Sequence, residues 1–130
     1  MNKKEFLVRL AEIMSCFIVH RLLTGELIDA LKHSGNEQTF LGTLFSRLKF
    51  LDEQRIYATR HKEFEPLADG IYSMHLTGNG FNIRILYGFL PDQRPALLLS
   101  FYERGGHRST DYTGQISIAL KRLKELQEEI

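Results

Sequence analysis

Two strand-like stretches in the second half of the sequence decide the fold. They are Phe81-Asn82-Ile83-Arg84-Ile85-Leu86-Tyr87 and Ala96-Leu97-Leu98-Leu99-Ser100-Phe101-Tyr102. In each, large apolar side chains recur at every second position, which is typical of a strand with one face in the core. A third strand, Tyr72-Ser73-Met74-His75-Leu76, precedes them across the tight turn Thr77-Gly78-Asn79-Gly80. With a second turn at Pro91-Asp92-Gln93-Arg94-Pro95, the pattern predicts an antiparallel meander.

Helical spacing frames this meander on both sides. Residues 3–14 are predicted to form a helix. Residues 15–22 either continue it or form a first strand, which Phe17-Ile18-Val19 favours. A short helix is expected over residues 26–32, and a longer one from a capping box at Ser34-Gly35-Asn36-Glu37 through about residue 52. The last helix carries an apolar stripe made of Ile116, Ala119, Leu120, Leu123 and Leu126.

Length and composition bound the class of protein. The chain has 130 residues, of which 43% are hydrophobic and 25% charged, so it fits one folded domain, 1–130, with a single core. We predict the α+β class, with N-terminal helices, a small antiparallel sheet and a C-terminal helix. Residues 1–22 are either a first strand or an N-terminal extension, and Met14 is an alternative start of a shorter product. The formal net charge of +1 means that nucleic acid binding would need a local basic patch.

Signals for disulfides, metals and membranes are sparse. The lone Cys16 excludes an intramolecular disulfide, which fits a reducing cytosol, and its apolar neighbours predict a buried, inert thiol. No stretch approaches the roughly 18 uninterrupted apolar residues of a membrane span. No His or Cys spacing indicates a metal site, and no cofactor signature is present. The sequence therefore predicts a cytoplasmic protein with no metal, no cofactor and no membrane partner.

Side-chain alternation predicts where the polar residues of the sheet meet. If the helices cover one face, the apolar sets of all three strands point towards them. His75, Arg84, Tyr102 and Arg104 then share the opposite face. This prediction depends on regular strands, because one bulge moves a residue to the other face.

Arg84 and the cationic segment Glu103-Arg104-Gly105-Gly106-His107-Arg108-Ser109-Thr110-Asp111-Tyr112 form the candidate site. A strand arginine is either paired with a carboxylate at the surface or a phosphate clamp, because guanidinium matches two phosphate oxygens at once. The segment is either a solvated basic turn or a ligand loop, in which paired glycines admit a ligand and His107 transfers protons. His75 is either structural or functional, and Tyr112 either packs at the start of the last helix or contacts a ligand.

Four motifs, in their order and spacing, resemble the RelE/ParE toxin superfamily, and most closely its HigB-like, phage-derived branch. They are Asp69-Gly70-Ile71-Tyr72, Ile83-Arg84-Ile85-Leu86-Tyr87, the basic run from Phe101 to Tyr112, and Ala119-Leu120-Lys121-Arg122-Leu123. The resemblance covers about residues 37–126. It implies a RelE-like α+β fold and a toxin of a type II toxin–antitoxin pair.

The resemblance also implies an activity and partners. Most RelE-like and HigB-like members cut mRNA in the ribosomal A site, so it implies an mRNA interferase: a metal-independent endoribonuclease that depends on the ribosome and inhibits translation. The implied partners are the ribosome, mRNA and a cognate helix-turn-helix antitoxin. Arg84 matches the family's central strand arginine, and Arg104 matches the basic position after the last strand. His75 falls where relatives carry a lysine or a histidine.

The site residues predicted from the residues and the resemblance together divide into two groups. The catalytic group is His75, Arg84, Arg104 and His107, with the arginines on the phosphate and the histidines as base and acid. The substrate-binding group is Arg108, Tyr102 and Tyr112, with a tyrosine stacking on a splayed base.

Two other functions stay open. A ParE-like toxin would inhibit DNA gyrase and would need no proton-transfer residues. A non-catalytic interaction module would use the open sheet as a protein-docking face, and would show neither growth arrest nor RNA cleavage.

Overall fold

The computed structural model describes residues 2–32, 34–103 and 112–129, and confirms the predicted α+β class. In the described chain the elements follow in the order α1 (Lys3–Met14), β1 (Ile18–Val19), α2 (Leu23–Leu31), α3 (Glu37–Gln54), a 3-10 helix (Arg55–Arg60), β2 (Phe64–Pro66), β3 (Tyr72–Gly78), β4 (Phe81–Phe89), β5 (Pro95–Tyr102) and α4 (Thr113–Glu129). The five strands form one sheet in the order β1-β5-β4-β3-β2. All neighbours are antiparallel except β1, which runs parallel to β5. The predicted meander is therefore confirmed as β3-β4-β5, and residues 15–22 do contribute a strand.

The N-terminal helices form where the sequence places apolar residues one turn apart. In α1, Phe6, Leu10 and Met14 recur at this spacing and are all buried. The side chain of Asn2 caps the helix by accepting a hydrogen bond of 2.8 Å from the backbone N–H of Glu5. Together with the buried residues of α2 and α3, these side chains belong to one core cluster on the sheet. The N-terminal segment is thus part of the main core.

The start of α3 differs from the predicted capping box. The helix begins at Glu37 after Asn36, and the Ser34 hydroxyl accepts a hydrogen bond from the backbone N–H of Asn36 instead of capping the helix. The Asn36 side chain also forms no cap, because its amide donates to the backbone carbonyl of Asn79 in the β3–β4 turn. The expected helix is present, whereas the expected capping box is wrong, because the helix begins at Glu37, too far along the chain for the Ser34 side chain to cap it.

Helices cover both faces of the sheet, which corrects the prediction that they cover one. We call the side packed against α1, α2 and α3 the α3 face, and the side packed against α4 the α4 face. The α3 face holds Met74, Leu76, Ile83, Ile85, Tyr87 and Leu97, and the α4 face holds Leu86, Leu99 and Ala119 of α4 with their neighbours. The central strands are therefore buried on both sides at one end of the sheet, where α4 lies.

A β-bulge in β5 explains a second departure from the predicted alternation. Leu86 pairs with Leu99, but the next residue, Tyr87, pairs with Leu97, so Leu98 is an extra residue on β5. Leu97 consequently lies on the α3 face and Leu99 on the α4 face. The sequence predicts that the apolar side chains at every second position of this strand, namely Leu97, Leu99 and Phe101, share one face, and the bulge makes that prediction wrong.

An ion pair between helices occupies the outer side of β5 beyond the end of β1. Arg122 donates two hydrogen bonds of 2.8 Å to the carboxylate of Glu26, and a third, of 2.9 Å, to the backbone carbonyl of Leu98. The same carboxylate accepts a hydrogen bond of 3.2 Å from the backbone N–H of Ser100. The pair thus joins α2 to α4 and replaces backbone partners that the two-residue β1 is too short to supply.

A second arginine–glutamate pair lies at the β2 side of the sheet. Arg47 of α3 donates a hydrogen bond of 3.1 Å to the backbone carbonyl of His75, and its guanidinium lies 3.7 Å from the carboxylate of Glu63. The backbone N–H of His75 donates to the carbonyl of Glu63, whereas the N–H of Glu63 turns to Nδ1 of His61. Arg47 therefore completes the ladder at His75, which lies opposite the residue just before β2 begins.

Two remaining expectations concern the surface. Cys16 is exposed rather than buried, which corrects the predicted inert core thiol, because the apolar residues around it point into the protein while its own side chain faces outward. Among the described residues, no helix is both long and apolar enough to cross a membrane.

Candidate functional site

His75 and Arg84 lie side by side on the α4 face. They are direct cross-strand partners of β3 and β4, and Phe101 of β5 is the partner of Arg84 on its other side. Because partners in an antiparallel pair point to the same face, the three side chains form one row across the sheet. The predicted meeting of His75 with Arg84 is therefore confirmed by the strand register.

Arg84 is held by a neutral neighbour instead of a carboxylate. Its guanidinium donates a hydrogen bond of 2.7 Å to the side-chain oxygen of Asn82, two positions earlier on the same face of β4. Among the described residues, no carboxylate forms an ion pair with it. Its Nε is buried without a hydrogen-bond partner in that part of the chain. The described contacts favour the clamp interpretation over the surface ion pair, since the charge is oriented yet not neutralised.

His75 is a partly buried imidazole with charged groups on several sides. Its Nε2 lies 3.8 Å from the Glu65 carboxylate of β2. Burial and the adjacent Arg84 lower the pKa of His75 below its ordinary value of 6.5, while Glu65, Glu63 and Glu103 act in the opposite direction. The net lowering favours the neutral imidazole at pH 7, which is the form that accepts a proton.

The two ends of the cationic segment, Glu103 and Tyr112, contact each other beside this row. Glu103 follows β5 and is buried, and its carboxylate accepts a hydrogen bond of 3.2 Å from the hydroxyl of Tyr112 at the start of α4. The Tyr112 ring packs on Phe101, with centroids 5.9 Å apart. The described residues on either side of the range 104–111, Glu103 and Tyr112, therefore lie near the cross-strand neighbour of Arg84. The predicted packing of Tyr112 at the helix start is confirmed, and base stacking by its ring stays a prediction.

Tyr102 does not belong to this row. It pairs with Ile83 in the β4–β5 register, so it lies on the α3 side of the sheet, away from Arg84. The bulge at Leu98 accounts for the change, because it shifts the alternation of β5 by one residue. The prediction that Tyr102 shares a face with His75 and Arg84 is wrong.

Three other predicted residues, Arg104, His107 and Arg108, lie outside the described residues. Their roles remain predictions that rest on the sequence and the resemblance.

Sequence reasoning missed three polar neighbours of the site. Asn82 was detectable, since a residue two positions from Arg84 on a strand shares its face. Glu65 and Arg47 left no such signal. β2 has only three residues, too few to show a period, and Arg47 reaches the site from a helix whose apolar stripe indicated only core packing.

Metal ligands do not converge at the site. Within the described ranges, no group of three or more His, Cys, Asp or Glu side chains is placed to hold a metal ion. The chemistry that this row can perform is that of an oriented cation beside a neutral imidazole, namely anion binding and proton transfer.

A cavity away from this row is a second candidate for a functional site. It has a volume of about 460 Å³ and lies on the helical side, where Lys3 and Phe6 of α1 approach Ile28 and Lys32 near the end of α2 and Glu37 of α3. The described residues of its lining combine charges of both signs with apolar side chains and include no His or Cys. The proton-transfer chemistry is therefore assigned to the sheet.

Comparisons with protein families and with curated proteins give no match for this chain. The functional assignment therefore depends on the row formed by His75, Arg84 and Phe101 and on the motifs of the sequence.

Proposed function

We propose that the protein is the toxin of a type II toxin–antitoxin pair, of the RelE/ParE superfamily and its HigB-like branch, and that it cuts ribosome-bound mRNA. The observation that carries the proposal is the pair of His75 and Arg84. They are cross-strand partners on one face, and within the described chain no carboxylate neutralises the guanidinium. The observed order of N-terminal helices, antiparallel meander and C-terminal helix supports the same family.

The proposed reaction is cleavage by the 2′-hydroxyl of the RNA itself. The 2′-oxygen forms a bond to phosphorus as its proton passes to His75, and the bond from phosphorus to the 5′-oxygen breaks. The 5′-oxygen takes a proton from an acid, for which His107 is the candidate. The products are a 2′,3′-cyclic phosphate and a free 5′-hydroxyl. Arg84 stabilises the extra negative charge on the phosphoryl oxygens in the transition state.

The charges near His75 indicate that the cationic segment must supply most of the positive charge for RNA binding. In the described part of the site Arg47 is already paired with Glu63, so Arg84 is the arginine that lacks a carboxylate partner. Glu63, Glu65 and Glu103 are all close enough to affect the pKa of His75. This surface alone does not attract a polyanion. Arg104 and Arg108 are therefore proposed to supply the remaining positive charge for the RNA backbone, since phosphate contacts dominate nucleic acid affinity.

The proposed partners follow from the proposed activity. The toxin would act in the cytoplasm on the ribosome and mRNA, without a membrane partner, and a cognate helix-turn-helix antitoxin would neutralise it. In the free protein Tyr112 holds the two ends of the cationic segment together through its hydrogen bond to Glu103. Stacking of its ring on a base of the A-site codon is proposed to require that this hydrogen bond breaks.

The test is cleavage of programmed ribosomes by the purified protein, with the cut sites mapped on the mRNA. We expect cuts within A-site codons, and Arg84→Ala should slow them by about 10²–10³-fold, the cost of losing one charge-assisted contact in the transition state. His75→Ala should slow them comparably. Arg9→Ala, which removes an exposed arginine of α1, is the matched control and should cut at the wild-type rate.

The alternatives give different outcomes in the same set of variants. If Arg84→Ala and His75→Ala proteins cut as fast as wild type, the assignment of the site is wrong. If folded wild-type protein cuts no mRNA but produces DNA breaks with gyrase, the protein is a gyrase-directed toxin. If the protein neither cuts mRNA nor produces DNA breaks with gyrase, the non-catalytic interaction module is the better explanation.

A further inference from the structure

Glu65 lies on the side of His75 opposite to Arg84. It belongs to β2, whereas Arg84 belongs to β4, and β3 with His75 runs between them. One Glu65 carboxylate oxygen is 3.8 Å from Nε2 of His75. That nitrogen is buried without a hydrogen-bond partner, whereas Nδ1 is not among the buried unpartnered atoms. The two imidazole nitrogens therefore face different surroundings: Nε2 faces a carboxylate inside the site, and Nδ1 retains access to solvent.

We propose that Glu65 is a positioning residue that keeps a proton on Nε2 of His75 and so leaves Nδ1 as the atom that accepts the proton from the substrate. The inference rests on the proposed function for its catalytic meaning. It extends that function by naming the acceptor atom and the group that orients it. A neutral imidazole carries one proton, so a carboxylate beside one nitrogen selects the tautomer with the proton there.

The charges around His75 explain why such a carboxylate is needed. When Nδ1 takes a proton, the imidazole becomes a cation next to the guanidinium of Arg84, which is unfavourable unless a negative charge lies nearby. Three carboxylates act on His75, but Glu63 is paired with Arg47 and Glu103 accepts the Tyr112 hydroxyl. Glu65 alone of the three lies in ion-pair range of the ring.

The distance of 3.8 Å between the Glu65 carboxylate and Nε2 of His75 is longer than a hydrogen bond, so binding of the substrate would have to shorten it. Glu65 is 47% exposed, so its side chain is able to rotate towards the ring without repacking the core. Catalytic hydrogen bonds in unliganded enzymes are often long and shorten when the substrate binds. Bound RNA would exclude water from this side chain and strengthen its attraction to the imidazolium.

The direct test is the tautomer of His75 in the free protein, measured from its ¹⁵N chemical shifts and long-range ¹H–¹⁵N couplings. The signals are assigned by comparison with a His75→Gln variant. At a pH above its pKa, we expect wild-type His75 to carry its proton on Nε2. Glu65→Ala should give a mixture of tautomers, and Glu65→Gln should keep the Nε2–H tautomer while lowering the pKa of His75 further. Glu12→Gln, an exposed change on α1, is the control and should alter neither property.

Two results would overturn the inference. The first is an Nδ1–H tautomer in the wild-type protein. The second is a tautomer and a pKa that are the same in wild type, Glu65→Ala and Glu65→Gln. Because the spectra are recorded on free protein, these results are independent of any cleavage.

Cleavage rates provide the second readout and separate the two proposals. Glu65→Ala should slow single-turnover cleavage by about 10–10²-fold, less than loss of the base itself. In Glu65→Gln the acidic limb of the pH–rate profile should move to lower pH, in step with the pKa of His75. If folded wild-type protein cuts no mRNA while the tautomer of His75 depends on Glu65, the proposed function fails and the effect of Glu65 on the imidazole survives. If the wild-type protein cuts and His75→Ala cuts at the same rate, His75 is not the base. If only His75→Ala is slow and Glu65→Ala cuts normally, the positioning role fails and the proposed function survives.

Discussion

Replacing Arg122 by methionine tests how much the ion pair across β5 contributes to stability. The side chain is buried, with 8% of the residue exposed, and it makes two hydrogen bonds to Glu26 and one to the carbonyl of Leu98. Methionine replaces the aliphatic part of the arginine side chain but has no hydrogen-bond donor. The variant therefore leaves a carboxylate without its counter-charge and a backbone carbonyl without its donor.

The size of the loss follows from these contacts. Removing one partner of a fully buried ion pair costs about 3–5 kcal/mol. The Glu26 side chain is 27% exposed, so water relieves part of its charge. We expect Arg122→Met to lower the free energy of unfolding by about 3 kcal/mol, a large share of the roughly 5–15 kcal/mol typical of a domain.

A double-mutant cycle separates the pair from its surroundings. Glu26→Gln keeps an acceptor for the N–H of Ser100 and should cost about 1–2 kcal/mol. In the Arg122→Met background the same change removes a stranded charge, so the double variant should be more stable than the sum of the single losses predicts. We expect a coupling energy of about 1–3 kcal/mol. Lys121→Met, an exposed change on the same helix, is the control.

The assay is urea unfolding followed by circular dichroism, with the slope compared among variants to confirm a common unfolded state. A loss below about 1 kcal/mol in Arg122→Met would refute the reasoning, because an exposed pair contributes no more than that. Simple additivity in the cycle would show that Arg122 acts through packing and not through Glu26.

Three further predictions concern the site. Tyr102→Ala should leave mRNA cleavage at the wild-type rate in the assay that Arg84→Ala fails, because the two side chains lie on opposite faces; a loss as large as that of Arg84→Ala would contradict the β5 register. Tyr112→Phe should lower the free energy of urea unfolding by about 1 kcal/mol through loss of the hydrogen bond to Glu103, and no loss would show that this contact is dispensable. Because folding lowers the pKa of His75, the unfolded chain binds more protons at acidic pH, so stability should fall as the pH drops below 6.5. Unfolding curves of a His75→Gln variant should show a smaller loss of stability over that pH range. An unchanged loss would mean that groups other than His75 cause it.

The parts of the fold that depend on local pattern were predictable from the sequence. The helix at residues 3–14, the β3-β4-β5 meander and the last helix were all predicted near their observed bounds. Local pattern also brought His75 and Arg84 to one face, because both strands are regular where they pair. The tight turn between them, at Asn79 and Gly80, fixes that register.

The parts that depend on long-range contacts were not predictable. Nothing in the run of leucines at residues 97–99 marks Leu98 as the bulged residue, since all three positions are the same apolar residue. The bulge moved Tyr102 to the wrong face for the predicted site. Likewise, the sequence predicts a capping box that begins at Ser34, but the helix begins at Glu37, and the side chain of the preceding Asn36 donates to the carbonyl of Asn79 in the β3–β4 turn. Such contacts join residues far apart in the chain and leave no periodic signal.

The arginine–glutamate pairs at the two sides of the sheet also bear on how the protein avoids self-association. Sheets of different molecules aggregate by pairing exposed strand edges, and natural proteins suppress this with short edge strands, proline and charge. Here β1 has two residues, and β2 has three and ends in Pro66, which has no backbone N–H to donate. Just beyond the end of β1, the guanidinium of Arg122 donates a hydrogen bond to the carbonyl of Leu98. Just before the start of β2, the guanidinium of Arg47 donates one to the carbonyl of His75. An incoming strand from a second copy would have to displace a charged pair before it gained a hydrogen bond, so we expect the folded chain to remain dispersed at high concentration.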